Sequence, residues 1–192
     1  MRVIKNLLAL IGLLVVIGVA VGYVKYYQAI EGFDPGAGGV FLQFAQNLGE
    51  GKSAAEASIW KVPVDEGLSA EEVEETMKFV ANEHNMSQVG ELPLSKDIEA
   101  KMGSDYRFVK IFLFCNSLTA AQMLDYSDAY SAYLPCRITM IEDQQGKLWL
   151  ITLNMDMMIY GGTPLPPELK EESLKVKEYI LDIMHRGATG EF

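Results

Sequence analysis

A chain of 192 residues, 49% hydrophobic and 22% charged, is long enough for one domain with a proper core plus one appendage, and too short for two full domains. Its formal charge of −10 at pH 7 leaves no basic stripe to displace counterions from phosphates, which argues against a nucleic-acid partner. The acidity itself reads as a device for solubility.

The appendage comes first. Leu7 to Val24 is a run of 18 residues with no charge and no strongly polar side chain. At about 1.5 Å per residue a helix of that length reaches about 27 Å, close to the hydrocarbon thickness of a bilayer. A cleaved signal peptide is the rival reading, because Arg2 and Lys5 make a charged start and Ala20-Val21-Gly22 is a small-x-small triplet. The run exceeds the usual apolar region of a signal, however, and continues into Tyr23, Val24 and Lys25. A retained transmembrane anchor over residues 1–27 is therefore expected, touching the lipid bilayer through residues 7–24. Tyr23, Tyr26 and Tyr27 stand where interfacial aromatics belong. No cysteine follows the run closely, so a lipoprotein anchor is not indicated. Arg2 and Lys5 are expected on the cytoplasmic side and the acidic body outside. In a double-membrane bacterium this predicts a single-pass inner-membrane protein with its C-terminal domain in the periplasm. Two cysteines in an oxidising compartment make their mutual geometry a central question.

Residues 28–58 read as a linker and a short amphipathic helix. Glu31 to Gly39 is rich in breakers and is expected to let the body stand off the membrane. Phe41, Leu42, Phe44, Ala45 and Leu48 then follow helical spacing up to Gly49, in a helix that either lies near the bilayer or docks on the body; docking is the preferred reading. Gly51 to Ser58, small and polar, connects to the domain proper, which spans residues 59–192.

That domain opens with a strand candidate, Ile59 to Val64, in which Pro63 predicts an edge position. Ser69 and Glu72 form a capping box, with Leu68 placed to staple against Val73, ahead of a helix whose buried stripe is Val73, Met77, Val80 and Ala81. A second strand is predicted over Met86 to Leu94 and a short helix over Ser95 to Met102. From Tyr106 the chain enters a strand apolar on both faces, hence interior, with Val109, Ile111, Leu113 and Cys115 on one side and Phe108, Lys110, Phe112 and Phe114 on the other. A short helical excursion leads from Cys115-Asn116 to Leu134-Pro135-Cys136, where a further strand begins. Asp143 to Gly146 turns it into a hairpin partner over Lys147 to Met155. The last helix starts at Pro166-Pro167 and carries Leu169, Val176, Ile180, Ile183 and Met184 on its core face, with Gly187 as its expected terminator. The element order predicts an α+β, two-layer domain with a mainly antiparallel sheet.

Leu113-Phe114-Cys115-Asn116, the return at Leu134-Pro135-Cys136-Arg137, the hairpin at Gly146-Lys147-Leu148-Trp149 and the exit at Leu153-Asn154-Met155-Asp156 resemble the family known as domain of unknown function 302. The likeness runs from about Ile59 to Gly187. It implies a compact sheet with helices packed on one face, similar to the TATA-binding-protein-like fold, and self-association, so a homodimer is expected. It implies neither DNA binding nor any catalytic residue. It also favours antiparallel strands for Cys115 and Cys136, which puts both sulfurs at one end of the sheet and leaves a disulfide, a metal pair and thiol chemistry open.

The chemistry is thinly signposted. There is no P-loop, nucleophile elbow, zinc-binding His-Glu-x-x-His or dinucleotide fingerprint. The two cysteines are not spaced as C-x-x-C, and a buried strand-end cysteine or a staple is the plainer reading. Their functional alternative is a redox dithiol or a site for a small sulfur species or a soft metal such as Cu(I). Met155, Met157 and Met158 read as core filler. Asn154 and Asp156 either line a pocket or anchor the Gly161-Gly162 turn. His84 and His185 sit at helix ends, where capping accounts for them without a metal. Tyr126, Tyr130 and Tyr133 suit a dimer contact better than a cleft rim. The expectation is a membrane-anchored accessory or ligand-binding module, with its ligand near Cys115, Asn116, Cys136, Asn154 and Asp156. Its alternatives are a thiol-based redox or sulfur-handling component and a purely structural dimerisation domain.

Overall fold

The uncharged N-terminal run winds into one uninterrupted helix, α1 (Arg2–Ile30), in a computed structural model that describes residues 2–192. Met1, the first residue of the expected anchor, lies outside the described residues. The stretch Ile4–Gln28 is long and apolar enough to cross a membrane, and none of it is buried by the rest of the chain.

The segment after α1 is not the free linker that its glycines predict. Only residues 31–36 lie outside helix, and α2 (Ala37–Gly49) begins before the expected start at Phe41. Asp34, buried, forms an ion pair with Lys170, and its N–H donates to the carbonyl of Gly162 at 2.7 Å. The Asp34 Oδ1 also accepts the N–H of Gly36 at 2.8 Å, while Gly36 lies so close to the Tyr160 ring that a Cβ there would stand 2.8 Å from it. The connector is thereby fastened to the body. Gly51 to Ser58 likewise holds a single-turn helix, α3 (Ala54–Ala57), with a reciprocal cap between Ser53 and Glu56.

Five strands follow: β1 (Ile59–Pro63), β2 (Ser87–Leu92), β3 (Val109–Cys115), β4 (Cys136–Glu142) and β5 (Leu148–Leu153). They form one antiparallel sheet in the order β1-β5-β4-β3-β2, so the meander β2 to β5 is completed by β1 at its far side. As Pro63 predicts, β1 is an edge; the other edge, β2, carries a register shift between Gln88 and Gly90. One face of the sheet presents Phe112, Phe114, Ile138, Met140 and Leu150 to two helices, α4 (Ala70–Glu83) and α8 (Pro167–Thr189). These contribute Val73, Met77, Val80, Ile180, Ile183 and Met184, all fully buried. The opposite face, with Ile111, Leu113, Trp149 and Ile151, is half-buried.

Helix α4 starts at the capping box the sequence predicts: the Glu72 carboxylate accepts the Ser69 N–H at 2.8 Å and the Ser69 hydroxyl accepts the Glu72 N–H at 3.2 Å. After β2 comes α5 (Leu94–Met102), and between β3 and β4 lie α6 (Ser117–Tyr126) and a 3-10 turn over Asp128–Ala132. The strand expected to reach Met155 stops at Leu153, and Asp156–Tyr160 forms a short helix, α7.

Gly187 does not end α8. The helix runs on to Thr189 and is closed by Gly190, in the left-handed region at φ 72°, whose N–H donates to the carbonyl of Arg186. Gly187 instead lies at the contact of α8 with α4, where a Cβ would stand 2.5 Å from Met77 Cγ and 3.4 Å from Leu150. Its lack of a side chain sets how closely the helix approaches. Gly187→Ala is therefore expected to destabilise the domain by about 1–3 kcal/mol through overpacking, measured by denaturant unfolding of the full chain; unchanged stability would refute a close-packing role.

The bond from Lys170, with the Gly36 N–H adding to it, holds the Asp34 carboxyl below the usual aspartate range. A depressed carboxyl stabilises the folded form at pH above its unfolded pKa of about 4 and loses that contribution as pH falls through the lower folded value. Hydrogen exchange at the Asp34 and Ala37 amides, corrected for intrinsic rates, is expected to stay protected down to about pH 4 and to rise below it. In Asp34→Asn the protection should already be reduced at pH 7; equal protection in both proteins would show the pair to be incidental.

Candidate functional site

The strand ends place the site. In the antiparallel register Phe114 lies opposite Cys136, so the end of β3 and the start of β4 share one end of the sheet, as the resemblance implies. Residues 116–135 must bridge a single strand spacing and fold back over that end. Asn116 starts the excursion as the cap of α6: its Oδ1 accepts the N–H groups of Leu118 and Thr119, each at 3.2 Å. The Leu134–Pro135 peptide bond, just before β4, is cis.

Beneath this roof is a cavity of about 60 Å³. Phe114, Met123, Leu134, Met155, Met158 and Val176 give it an apolar wall, and Cys115, Asn116, Cys136 and Asn154 also line it. Two of its hydroxyls are occupied within the protein: Thr152 Oγ1 donates to the carbonyl of Arg137 at 2.5 Å, and Ser173 Oγ to that of Leu169 at 2.6 Å. The carboxamides of Asn116 and Asn154 each use their oxygen for backbone N–H groups, Asn154 accepting from Asp156 at 2.8 Å. Those bonds fix the amide orientation and leave the Nδ2 donors of both residues for a ligand.

Tyr130, Tyr133 and Met158 line both this cavity and an open groove of about 530 Å³, whose other wall includes Met157, Gly162 and Thr163. The tyrosines stand in a row, with ring centroids 6.0 Å apart for Tyr126 and Tyr130 and 6.4 Å for Tyr130 and Tyr133. They rim a cleft, a placement the sequence reading ranked second. Burial raises the Tyr130 phenol above its ordinary value, with Tyr126 and Tyr133 adding to the effect, so it remains a neutral donor. Taken alone, about 60 Å³ holds only a few waters, whereas the groove falls within the roughly 300–1,000 Å³ common for small-molecule sites. The cavity and the groove lie side by side, with Tyr130, Tyr133 and Met158 common to both.

Of the five candidate residues, Cys115, Asn116, Cys136 and Asn154 come together. Asp156 does not: it opens α7 and forms an ion pair with Lys177, outside the cavity wall. Its place in an apolar run reflects a helix start and a partner on α8. The two cysteines are free. Cys136 pairs with Phe114 rather than Cys115, and strand alternation from that register argues against a staple between them. Among the described residues no three of His, Cys, Asp and Glu gather as a metal site. His84 caps α4 and bonds Asp182 at 2.7 Å with its ring stacked on Tyr179, while His185 is exposed. The cavity residues missed by sequence reading, Thr119, Met123 and Ser173 among them, lie on α6 and α8, whose meeting over the sheet end no local pattern announces.

The fold and site define a two-layer α+β domain with a five-stranded antiparallel sheet and a roofed depression at one sheet end. The chain belongs to the family described as Domain of unknown function DUF302, which matches residues 60–186. A crystal structure of the uncharacterized conserved protein DUF302 from Bacillus stearothermophilus superposes with a TM-score of 0.54 at 18% identity, covering 67% of this chain and 96% of that one. At that identity the likeness carries the fold alone. No curated protein matches the sequence.

Burial, with the nearby Cys115 adding to it, pushes the Cys136 thiol up to about 11. A thiol with that value is thiolate in fewer than about one molecule in a thousand at pH 7.5. Peptide mapping after iodoacetamide treatment is expected to show Cys136 alkylated about a hundredfold or more slowly in the folded chain than after unfolding. Equal rates would mean that the thiol is neither buried nor raised.

Proposed function

We propose that the chain is a membrane-anchored, extracytoplasmic ligand-binding module that takes a small amphiphile in the depression beneath α6. The apolar end of the ligand enters the cavity of about 60 Å³, a hydrogen-bond acceptor meets the amide donors of Asn116 and Asn154, and the remainder lies in the tyrosine-lined groove. The observation that carries this reading is the adjacency of an apolar recess and a half-polar groove, which share Tyr130, Tyr133 and Met158 as lining residues. The mostly apolar wall suits the hydrocarbon end of an amphiphile, and Arg137 among the lining residues suits an acceptor or anionic end.

The anchor is α1, and the excess of Arg2 and Lys5 before it supports a cytoplasmic N-terminus, with the body in the periplasm of a double-membrane bacterium. The thiol-based alternative needs a thiolate. A thiol pushed up to about 11 by burial serves better as part of the wall.

The methionines supply a built-in reporter, since Met123, Met155 and Met158 line the cavity while Met77 and Met140 are fully buried in the main core. With the full chain in lipid nanodiscs and its methionine methyls labelled for NMR, octanoate is expected to shift the first three resonances saturably and leave the other two unchanged. Ala120→Trp, which fills the recess, should weaken that response at least tenfold. Uniform, non-saturating shifts, or an unchanged response in the filled variant, would defeat the reading.

A further inference from the structure

Helix α2 has thirteen residues and not one charge. Viewed down its axis at 100° per residue, its apolar surface is wider than the body covers. Ala37, Val40, Phe44 and Asn47 form the docked side. Leu48, Phe41, Ala45 and Leu42 continue the surface onto one adjacent flank and stay in the open, with Phe41 41%, Leu42 59% and Leu48 41% exposed. Gln43 and Gln46 occupy the other flank. A surface helix that needed only to dock on the body would carry polar residues on both flanks; this one does so on one.

Its position in the chain says what covers the other. Residues 31–36 alone separate α2 from the end of α1, and they make turns rather than an extended spacer. Phe33 in that connector is also 41% exposed. If α1 spans the bilayer, α2 starts within a few residues of the headgroups, where an uncharged helix with one exposed apolar flank is favoured lying in the surface plane. We infer that the Phe41, Leu42 and Leu48 flank of α2 is a second membrane contact, seated in the interface of the bilayer that α1 crosses. The inference rests on the reading of α1 as a span. Because the docked side of α2 and the Asp34–Lys170 pair are tied to the body, this contact seats the body against the lipid surface instead of leaving it on a swivel.

Accessibility of single spin labels decides it, in the full chain carrying C115S and C136A and reconstituted in phospholipid vesicles. V15C reports the span, L42C the proposed flank and Q43C the opposite one. The expected result is V15C deep, L42C favouring oxygen over an aqueous nickel chelate by several fold, and Q43C the reverse. V15C deep with L42C aqueous would overturn the inference and leave the anchor standing. V15C aqueous would overturn the anchor and the inference with it. L42C shielded from both reagents would mean protein covers the flank, a second copy included, and would overturn the inference. As a check free of substitutions, a carbene-generating phospholipid should label the unaltered chain within residues 33–48; absence of adducts there, with α1 labelled, counts against the inference.

Discussion

The pairing of Phe114 with Cys136 is the constraint on which the site depends. It makes β3 and β4 adjacent and antiparallel, so the residues between them have almost no distance to travel. Twenty residues with nowhere to go must stack over the sheet end, and α6 with its 3-10 turn is how they do it. The Asn116 cap starts that stack and α8 supports it from the side, through Ser173 and Val176. A two-residue turn in the same place would have left the strand ends open to solvent and no depression to line.

Much of the scaffold was legible because its signals are local. A capping box at Ser69 and Glu72, alternation in β3 and a heptad-like stripe on α8 each report through neighbours within a few residues. The same logic overlooked the second box, Ser53 and Glu56, because the helix it starts is one turn long and has no apolar stripe. Breakers misled in the connector: Gly38 and Gly39 lie inside α2, and Asp34 finds its partner 136 positions away on α8. At the C-terminus the glycine closing the helix is Gly190, while Gly187 serves packing. Both glycines look alike in a sequence, since a left-handed turn and a close approach each demand the absence of a Cβ.

The site was half legible for a related reason. Cys115, Asn116, Cys136 and Asn154 sit at strand ends, and strand ends that share a sheet edge converge once antiparallel pairing is assumed. Asp156 failed because β5 stops two residues early, at Leu153, and a change of element turns its side chain toward Lys177. The cysteines drew attention by rarity. Their placement makes them small, polarisable wall atoms beside two asparagine amides and a row of tyrosines.

The two outer strands bear on how such chains meet one another. Were chains with such an apolar helix held in a membrane plane, encounters would be frequent and similarly oriented, and an open sheet edge would be a template for lateral polymerisation. Both edges here are blunted. Pro63 withholds an N–H from one, and the irregularity between Gln88 and Gly90 disrupts the repeat of donors and acceptors along the other. Neither edge therefore offers a regular ladder along which a neighbouring copy could add a strand.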